Sequence, residues 1–380
     1  MTERTSGQPH AVARIICTVH QRLADRVVEC LRELGAHTVL SHPARCVRQR
    51  MVTRAWGLPG LKVRLDEAPM EVFYTTVPRP VAAAVAAELV AAVKLRTPGH
   101  GSLVLQEVEE ISRLDPPAIA LPASTSPPLF ASLALLTGIL SLPGSGDELA
   151  ALALKMGVAV PVMSLGEGTG IRDRLGLLRI TIPPEKEWVH LLVPAHDAAG
   201  IMRLLIEEGR LNRPGGGFLY QTPVLTGLPD PMTRIGKQEH AATMEQLIAA
   251  MDDLKQSTAW RKRYAGPGSA ATHHDGPIRN HYSEIVFICT EGRADTFVHA
   301  AIRAGAGGVT TARVNCHVFS AAEGGIAGRE RGVICVPTGQ AERVTEALLT
   351  VAEADNGTPC RIQRIPAPAV FSYYRPNRKA

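Results

Sequence analysis

Two short segments share a pattern that can hold an anion. One reads Arg96-Thr97-Pro98-Gly99-His100-Gly101-Ser102-Leu103, the other Asn212-Arg213-Pro214-Gly215-Gly216-Gly217-Phe218-Leu219. Each follows an Ala/Leu-rich helical pattern and leads into an extended stretch, residues 104–108 and 220–224. Glycine has no Cβ, so a Gly-x-Gly turn can point successive backbone N–H groups at one spot and cradle a phosphate or similar anion. The same pattern also suits a tight helix-to-strand turn, and a Gly-x-Gly alone does not choose between the two. Its return about 115 residues later is read as an internal repeat of architecture.

Other segments carry candidate chemistry. Gly166-Glu167-Gly168-Thr169-Gly170-Ile171-Arg172-Asp173-Arg174 combines three glycines with two arginines, and Gly324-Gly325-Ile326-Ala327-Gly328-Arg329-Glu330-Arg331 is comparable. Either could be an anion loop with Arg172 as a phosphate partner, or a turn with paired surface charges. The basic set Arg45, Arg48, Arg50, Arg54, Lys62 and Arg64 lies on what reads as a long loop, residues 43–69, with Trp56 and Leu58 near its apex. Guanidinium groups pair bidentately with phosphate oxygens, and an exposed Trp is a typical interface anchor. His273-His274-Asp275 and Cys316-His317 lack further ligands at metal spacing, so no metal is expected. No Ser-His-Asp triad, Walker loop or paired-carboxylate pattern occurs, so no enzyme chemistry is expected.

The totals constrain what must position these residues. At 380 residues the chain exceeds a single core, and two or three domains are expected. Hydrophobic residues make up 45% and charged residues 20% of the chain, which favours folding throughout. Aromatics are only 4%, so several small aliphatic cores are expected. The seven cysteines, an odd number without Cys-x-x-Cys, read as reduced thiols of a cytoplasmic protein. No apolar run reaches the ~20 residues of a membrane helix, so membrane contact is expected only through a partner. A net charge of +5 gives no case for nucleic acid.

Hydrophobic periodicity divides the chain into three units, 12–114, 130–226 and 283–368, each read as strand, helix, strand, strand, helix, strand. A Pro/Ser/Ala-rich crossover near 116–128 joins the first two. A linker over 227–282 contains an amphipathic helix near 237–255, a cluster Trp260-Arg261-Lys262-Arg263-Tyr264 and a Gly/Pro/Ser/His stretch. Such a βαββαβ order is that of the α+β ferredoxin-like fold, whose sheet leaves one face to be covered. Three tandem units could cover one another as an intrachain pseudo-trimer.

The first unit resembles the nitrogen-regulatory P-II signalling family. Arg48-Gln49-Arg50 is similar to the family's Arg-Gln-Lys at the base of its T-loop, and the span from Gln49 to Glu71 is similar to that loop in length. Thr97-Pro98-Gly99-His100-Gly101-Ser102 and residues 104–111 resemble its phosphate-binding B-loop and the strand beyond. The resemblance covers about 100 residues, is weaker in the second unit and topological in the third. It implies trimer-like assembly, ATP or ADP in clefts between units, and a loop that reports the nucleotide to a transporter or enzyme. The family usually carries Lys after the second B-loop glycine, where this chain has Ser102 and Phe218. No Tyr lies between Val52 and Glu67, so tyrosine uridylylation is not implied.

The expectation is therefore a cytoplasmic, non-enzymatic regulator without a required cofactor. It would bind adenine nucleotide or a small anion through Arg48, Gln49, Arg50, Thr97, Gly99, His100, Gly101, Ser102, Gly215, Gly217 and Arg172. A regulated protein would dock through Arg54, Trp56 and Leu58. The alternatives are a scaffold that has lost its ligand, or a metal-responsive binder of the same fold.

Overall fold

A computed structural model describes residues 10–53, 61–112, 119, 129–170, 185–230, 233–234, 278–319, 325–354 and 360–373. The first stretch runs β1 (His10–His20), α1 (Ala24–Glu33), β2 (Thr38–Thr53), β3 (Leu61–Pro78), α2 (Ala82–Ala92) and β4 (Gly101–Glu110). The second runs β5 (Phe130–Leu140), α3 (Ser145–Lys155), β6 (Val162–Gly170), β7 (Glu185–Pro194), α4 (Ala198–Glu208) and β8 (Phe218–Leu228). Two short strands follow, β9 (Thr233–Arg234) and β10 (Ile278–Arg279). The last stretch runs β11 (Tyr282–Thr290), α5 (Ala294–Arg303), β12 (Gly308–Val318), β13 (Gly325–Pro337), α6 (Thr338–Ala354), β14 (Arg361–Ala367) and β15 (Ala369–Ser372).

Local chemistry accounts for these elements. In α1, Val27 and Leu31 stand one turn apart and are buried. Gly35 then takes φ 84°, and the Ala36 N–H donates back to the Leu31 carbonyl, the left-handed stop that glycine makes easy. Strand alternation sorts side chains to two faces. In β1, Ala13, Ile15, Cys17 and Val19 lie in the aliphatic cluster under α1 and α2, while Arg14, Ile16 and Thr18 line an interior cavity. In β5, Ala134, Leu136 and Leu140 pack under α3 and α4, while Leu135, Thr137 and Ile139 face that cavity. A third aliphatic cluster joins β11 to α5 and α6.

The ferredoxin-like α+β pseudo-trimer is corrected by the strand pairing. All fifteen strands join one sheet, which closes on itself where β8 pairs with β4. Among the described residues, ten of these strands form a closed antiparallel β-barrel, accompanied by six helices. The physical reason lies at the edges. An unpaired strand edge presents a row of unmet N–H and C=O groups. Here those groups find partners across the expected unit boundaries. β14 meets β4 at Gln363↔Glu110, β15 meets β8, β12 meets β6 at Gly308↔Gly170, and β2 meets both β6 and β12. What was expected as a bare face covered by a neighbouring sheet is the wall of one barrel, and the reading of the chain as an internal repeat of separate folding units is not supported.

The long loop expected over 43–69 is also corrected. β2 and β3 pair without interruption from Leu40↔Tyr74 to Thr53↔Leu61, so most of that span is a hairpin. Opposed charges across the ladder, such as Arg45 with Glu67 (3.2 Å), made the stretch read as polar loop. The apex, including Arg54, Trp56 and Leu58, lies outside the described residues, as do the 237–255 helix and Arg172.

Candidate functional site

Helix α2 ends in a turn that reverses into β4. Lys94 takes φ 51°, Gly99 φ 92° and Gly101 φ 137°. A Cβ on Gly101 would sit 1.8 Å from the Thr18 carbonyl oxygen, so glycine is required there by space as well as by φ. Thr97 and His100 are spent on the turn itself. The His100 N–H donates to the Thr97 carbonyl at 3.0 Å, and the His100 ring Nδ1 meets the Val93 carbonyl at 2.8 Å. Ser102 pairs with Thr18 in the β1–β4 ladder and lines the interior cavity.

This first turn does receive an anion, and the anion is the chain's own. The Gly99 N–H donates to Asp230 Oδ1 at 3.0 Å. The Arg48 guanidinium pairs with Oδ2 of the same carboxylate. Asp230, just beyond β8, is buried. The structure thus brings Arg48 and Gly99 together on one carboxylate, with Gly101 and Ser102 following in the chain. Gln49 and Arg50 sit on β2, where the backbone pairs with Leu65 and Arg64 of β3 and with Thr233 and Arg234 of β9.

The second turn has a different environment. Arg210 takes φ 54°, Gly215 φ 78° and Gly217 φ 128°. Gly215 and Gly217 line a cleft of about 530 Å³. Gly168 and Gly170 of β6 form another part of its wall, and Gly305, Gly307 and Gly308 at the junction of α5 with β12 a third. Three glycine segments from distant parts of the chain thus converge. Cβ atoms added at Gly215 and Gly307 would meet nothing within 4 Å, so the backbone there borders open space. Lys186 and Arg279 supply positive charge, and Phe218, Tyr282 and Tyr373 supply aromatic surface. This volume and mixture suit a small polar ligand with a flat apolar part. None of Arg48, Gly99 or Gly101 borders this cleft.

Sequence reasoning missed Asp230, Lys186, Arg279, Tyr282 and Tyr373. For Asp230 a weak signal existed: it stands between Pro229 and Pro231, which stiffen the segment that carries it. Other anion-binding positions are taken. Glu187 accepts the Gly144 and Gly146 N–H groups at the start of α3 (2.9 and 2.6 Å), and Glu330 accepts the Ala294 N–H at the start of α5 (2.8 Å).

The thiols are chemically quiet. None of the seven cysteines forms a disulfide. Burial pushes Cys17 up to about 12 and Cys30 up to about 11, which keeps them as thiols at neutral pH. Among the described residues, no three His, Cys, Asp or Glu side chains converge as metal ligands. Cys316 is buried, and the adjacent His317 meets Ser41 Oγ at 3.2 Å. No helix among the described residues is long and apolar enough to cross a membrane.

Fold and site together define an antiparallel β-barrel with one glycine-walled open cleft and one glycine turn filled by a carboxylate. No family model and no curated protein matches the chain. Among solved structures it is similar to the B. subtilis GlnK–ATP complex, at 11% identity and TM-score 0.23, over 27% of this chain and 88% of that one. It is similar also to B. subtilis GlnK alone, at 10% identity and TM-score 0.23, over 30% of this chain and 97% of that one. These neighbours are P-II proteins, the family that the first unit resembles in sequence. At such scores the likeness carries no argument for fold or function.

Proposed function

We propose that the chain is a non-enzymatic, P-II-like regulator that binds an adenine nucleotide, or a related small anionic effector, in the cleft walled by Gly168, Gly215, Gly217 and Gly307. The observation that carries this reading is the convergence of three glycine segments on one open space, beside Lys186 and Arg279. Backbone N–H groups and two cations suit phosphates. Tyr282, Tyr373 and Phe218 suit a purine face. The β2–β3 hairpin would carry the signal to a partner protein, an enzyme or transporter in the cytoplasm. By linkage the partner would change effector affinity by the same factor as the effector changes partner affinity.

Isothermal titration with ATP, ADP and AMP tests the reading. Gly307 has no left-handed φ and faces open space, so Gly307→Leu should fold and fill the cleft. Saturable heat with at least one nucleotide, lost in Gly307→Leu, is the expected outcome. No heat for any of the three at millimolar ligand, or unchanged affinity in the variant, rejects it. Asp230 in the first glycine turn favours a second reading, a scaffold whose ligand sites are closed. That reading expects no nucleotide to raise the melting temperature.

A further inference from the structure

The barrel interior holds a cavity of about 50 Å³ whose polar lining is unbalanced in one direction. Arg14 gives Nε and Nη2 to Gln106 Oε1 (3.2 and 2.8 Å) and Nη2 to Glu284 Oε1 (2.7 Å). Tyr220 gives its hydroxyl to Glu284 Oε2 at 2.7 Å. Both carboxylate oxygens of Glu284 are therefore in use. Arg331, buried, stacks on the rings of Tyr74 and Trp188, its guanidinium carbon 4.7 and 5.2 Å from their centroids. Among the described residues no carboxylate is hydrogen-bonded to it, and Glu284, whose charge it feels, is already bonded to Arg14.

Four buried polar atoms of residues that line this cavity have no hydrogen-bond partner among the described residues: Arg14 Nη1, Arg331 Nη1, Trp188 Nε1 and His190 Nε2. Three are obligate donors. The fourth carries a proton whenever Thr137 donates to His190 Nδ1, 3.1 Å away. Asp230 also lines the cavity, but Arg48 neutralises it. Glu284 neutralises Arg14. One positive charge, on Arg331, is left over. An unmatched buried cation and unmet buried donors are both costly, and a single negative ion answers both deficits. The space exceeds the ~10–15 Å³ that one water needs.

We propose that this cavity is a binding site for a small monovalent anion, a halide or a planar oxyanion of nitrate size, held by Arg331, Arg14 and Trp188 as a structural ligand of the barrel. His190 and His42 add no competing charge. Burial, the largest influence on each, lowers His190 to about 3 and His42 to about 4, so both are neutral at pH 7. The proposal is independent of the nucleotide cleft.

Bromide is the probe. The full chain is melted in sodium bromide and in sodium gluconate, an anion too large for the cavity, at equal ionic strength. If the site exists, each tenfold rise in bromide above its dissociation constant raises the folded-to-unfolded ratio about tenfold. In Arg331→Met that gain should vanish, leaving only the general effect of each salt on stability. A wild-type bromide response no larger than that of Arg331→Met overturns the proposal. Crystals grown in bromide give a second measurement that needs no variant. An anomalous peak against Arg331 and Trp188 supports the site; ordered water alone there, with bromide only at the surface, overturns it.

Discussion

Glu284→Gln is the most informative single substitution in the barrel interior. Glu284 lies 2.7 Å from Arg14, and both side chains are 5% exposed. At that separation and an effective dielectric constant near 20, the pair attracts by about 6 kcal/mol. Part of this offsets the cost of taking both charges out of water, and removing one member of a buried pair typically costs ~3–5 kcal/mol. The same substitution also removes from beside Arg331 a carboxylate whose charge the two residues feel mutually, and so deepens the excess of positive charge. The expected loss is therefore ~3–5 kcal/mol, at the upper end in the absence of a halide. Urea denaturation followed by circular dichroism and by intrinsic fluorescence measures it. Glu284→Gln combined with Arg14→Met should recover much of the loss, because it leaves no unpaired member of that couple. A single-variant loss under about 1 kcal/mol, the range of exposed ion pairs, would refute the reasoning.

Acid sensitivity should come from the same interior. Burial lowers His190 and His42 to about 3 and about 4 from 6.5, so the unfolded chain binds protons first as pH falls. Their stabilising contribution is complete above pH 6.5 and fades below it. Between pH 7 and pH 5 each should remove about 2 kcal/mol. In a pH series of denaturation curves, His190→Gln should abolish its share of that loss. Glu284 acts in the same direction at lower pH. Burial would raise it, but the charges of Arg14 and Arg331 and the hydrogen bonds from Arg14 and Tyr220 outweigh burial and hold it below 4.5. Its contribution is present above that value and is lost as pH falls through the folded-state pKa. Gly101→Ala should lower stability by more than the ~1–3 kcal/mol of a strained φ, because its Cβ would also meet the Thr18 carbonyl at 1.8 Å. Thermal melting checks this, with Gly215→Ala, which meets no atom, as the milder comparison. Asp230→Ala should cost roughly 3–5 kcal/mol by unpairing Arg48. Added inorganic phosphate should restore part of that by binding the emptied turn, and Gly307→Leu with Asp230 in place should gain no stability from phosphate.

Much of the local structure was legible because it depends on neighbours in the chain. Val27 and Leu31 mark the buried side of α1, and Gly35 marks its end. Alternation in residues 13–19 marks β1. Barrel closure was not legible, because it depends on which strand edges meet. Nothing near Gln363 states that it will pair with Glu110, or near Leu103 that it will pair with Leu228. The polar interior was hidden for a related reason. Arg14 and Glu284 stand in runs that read as apolar strands, and only their inward phase, opposite to Ile15 and Ile285, distinguishes them. In sequence the β2–β3 hairpin resembles a loop, because its opposed Arg and Glu side chains satisfy each other only after pairing. At the candidate site, the glycine turns were legible from residue type. The occupant of the first was not, since Asp230 lies 131 residues from Gly99. The same holds for Gly305, Gly307 and Gly308, which read as a helix stop and also wall the second cleft.

A crystal structure of the full chain grown with ATP would test the central claim most directly. The account predicts phosphate density against Gly215, Gly217 and Gly307, with Lys186 or Arg279 beside it and Asp230 still on Gly99. Phosphate density at Gly99 with Asp230 displaced, or a cleft at Gly215 left empty at saturating ATP, would contradict it.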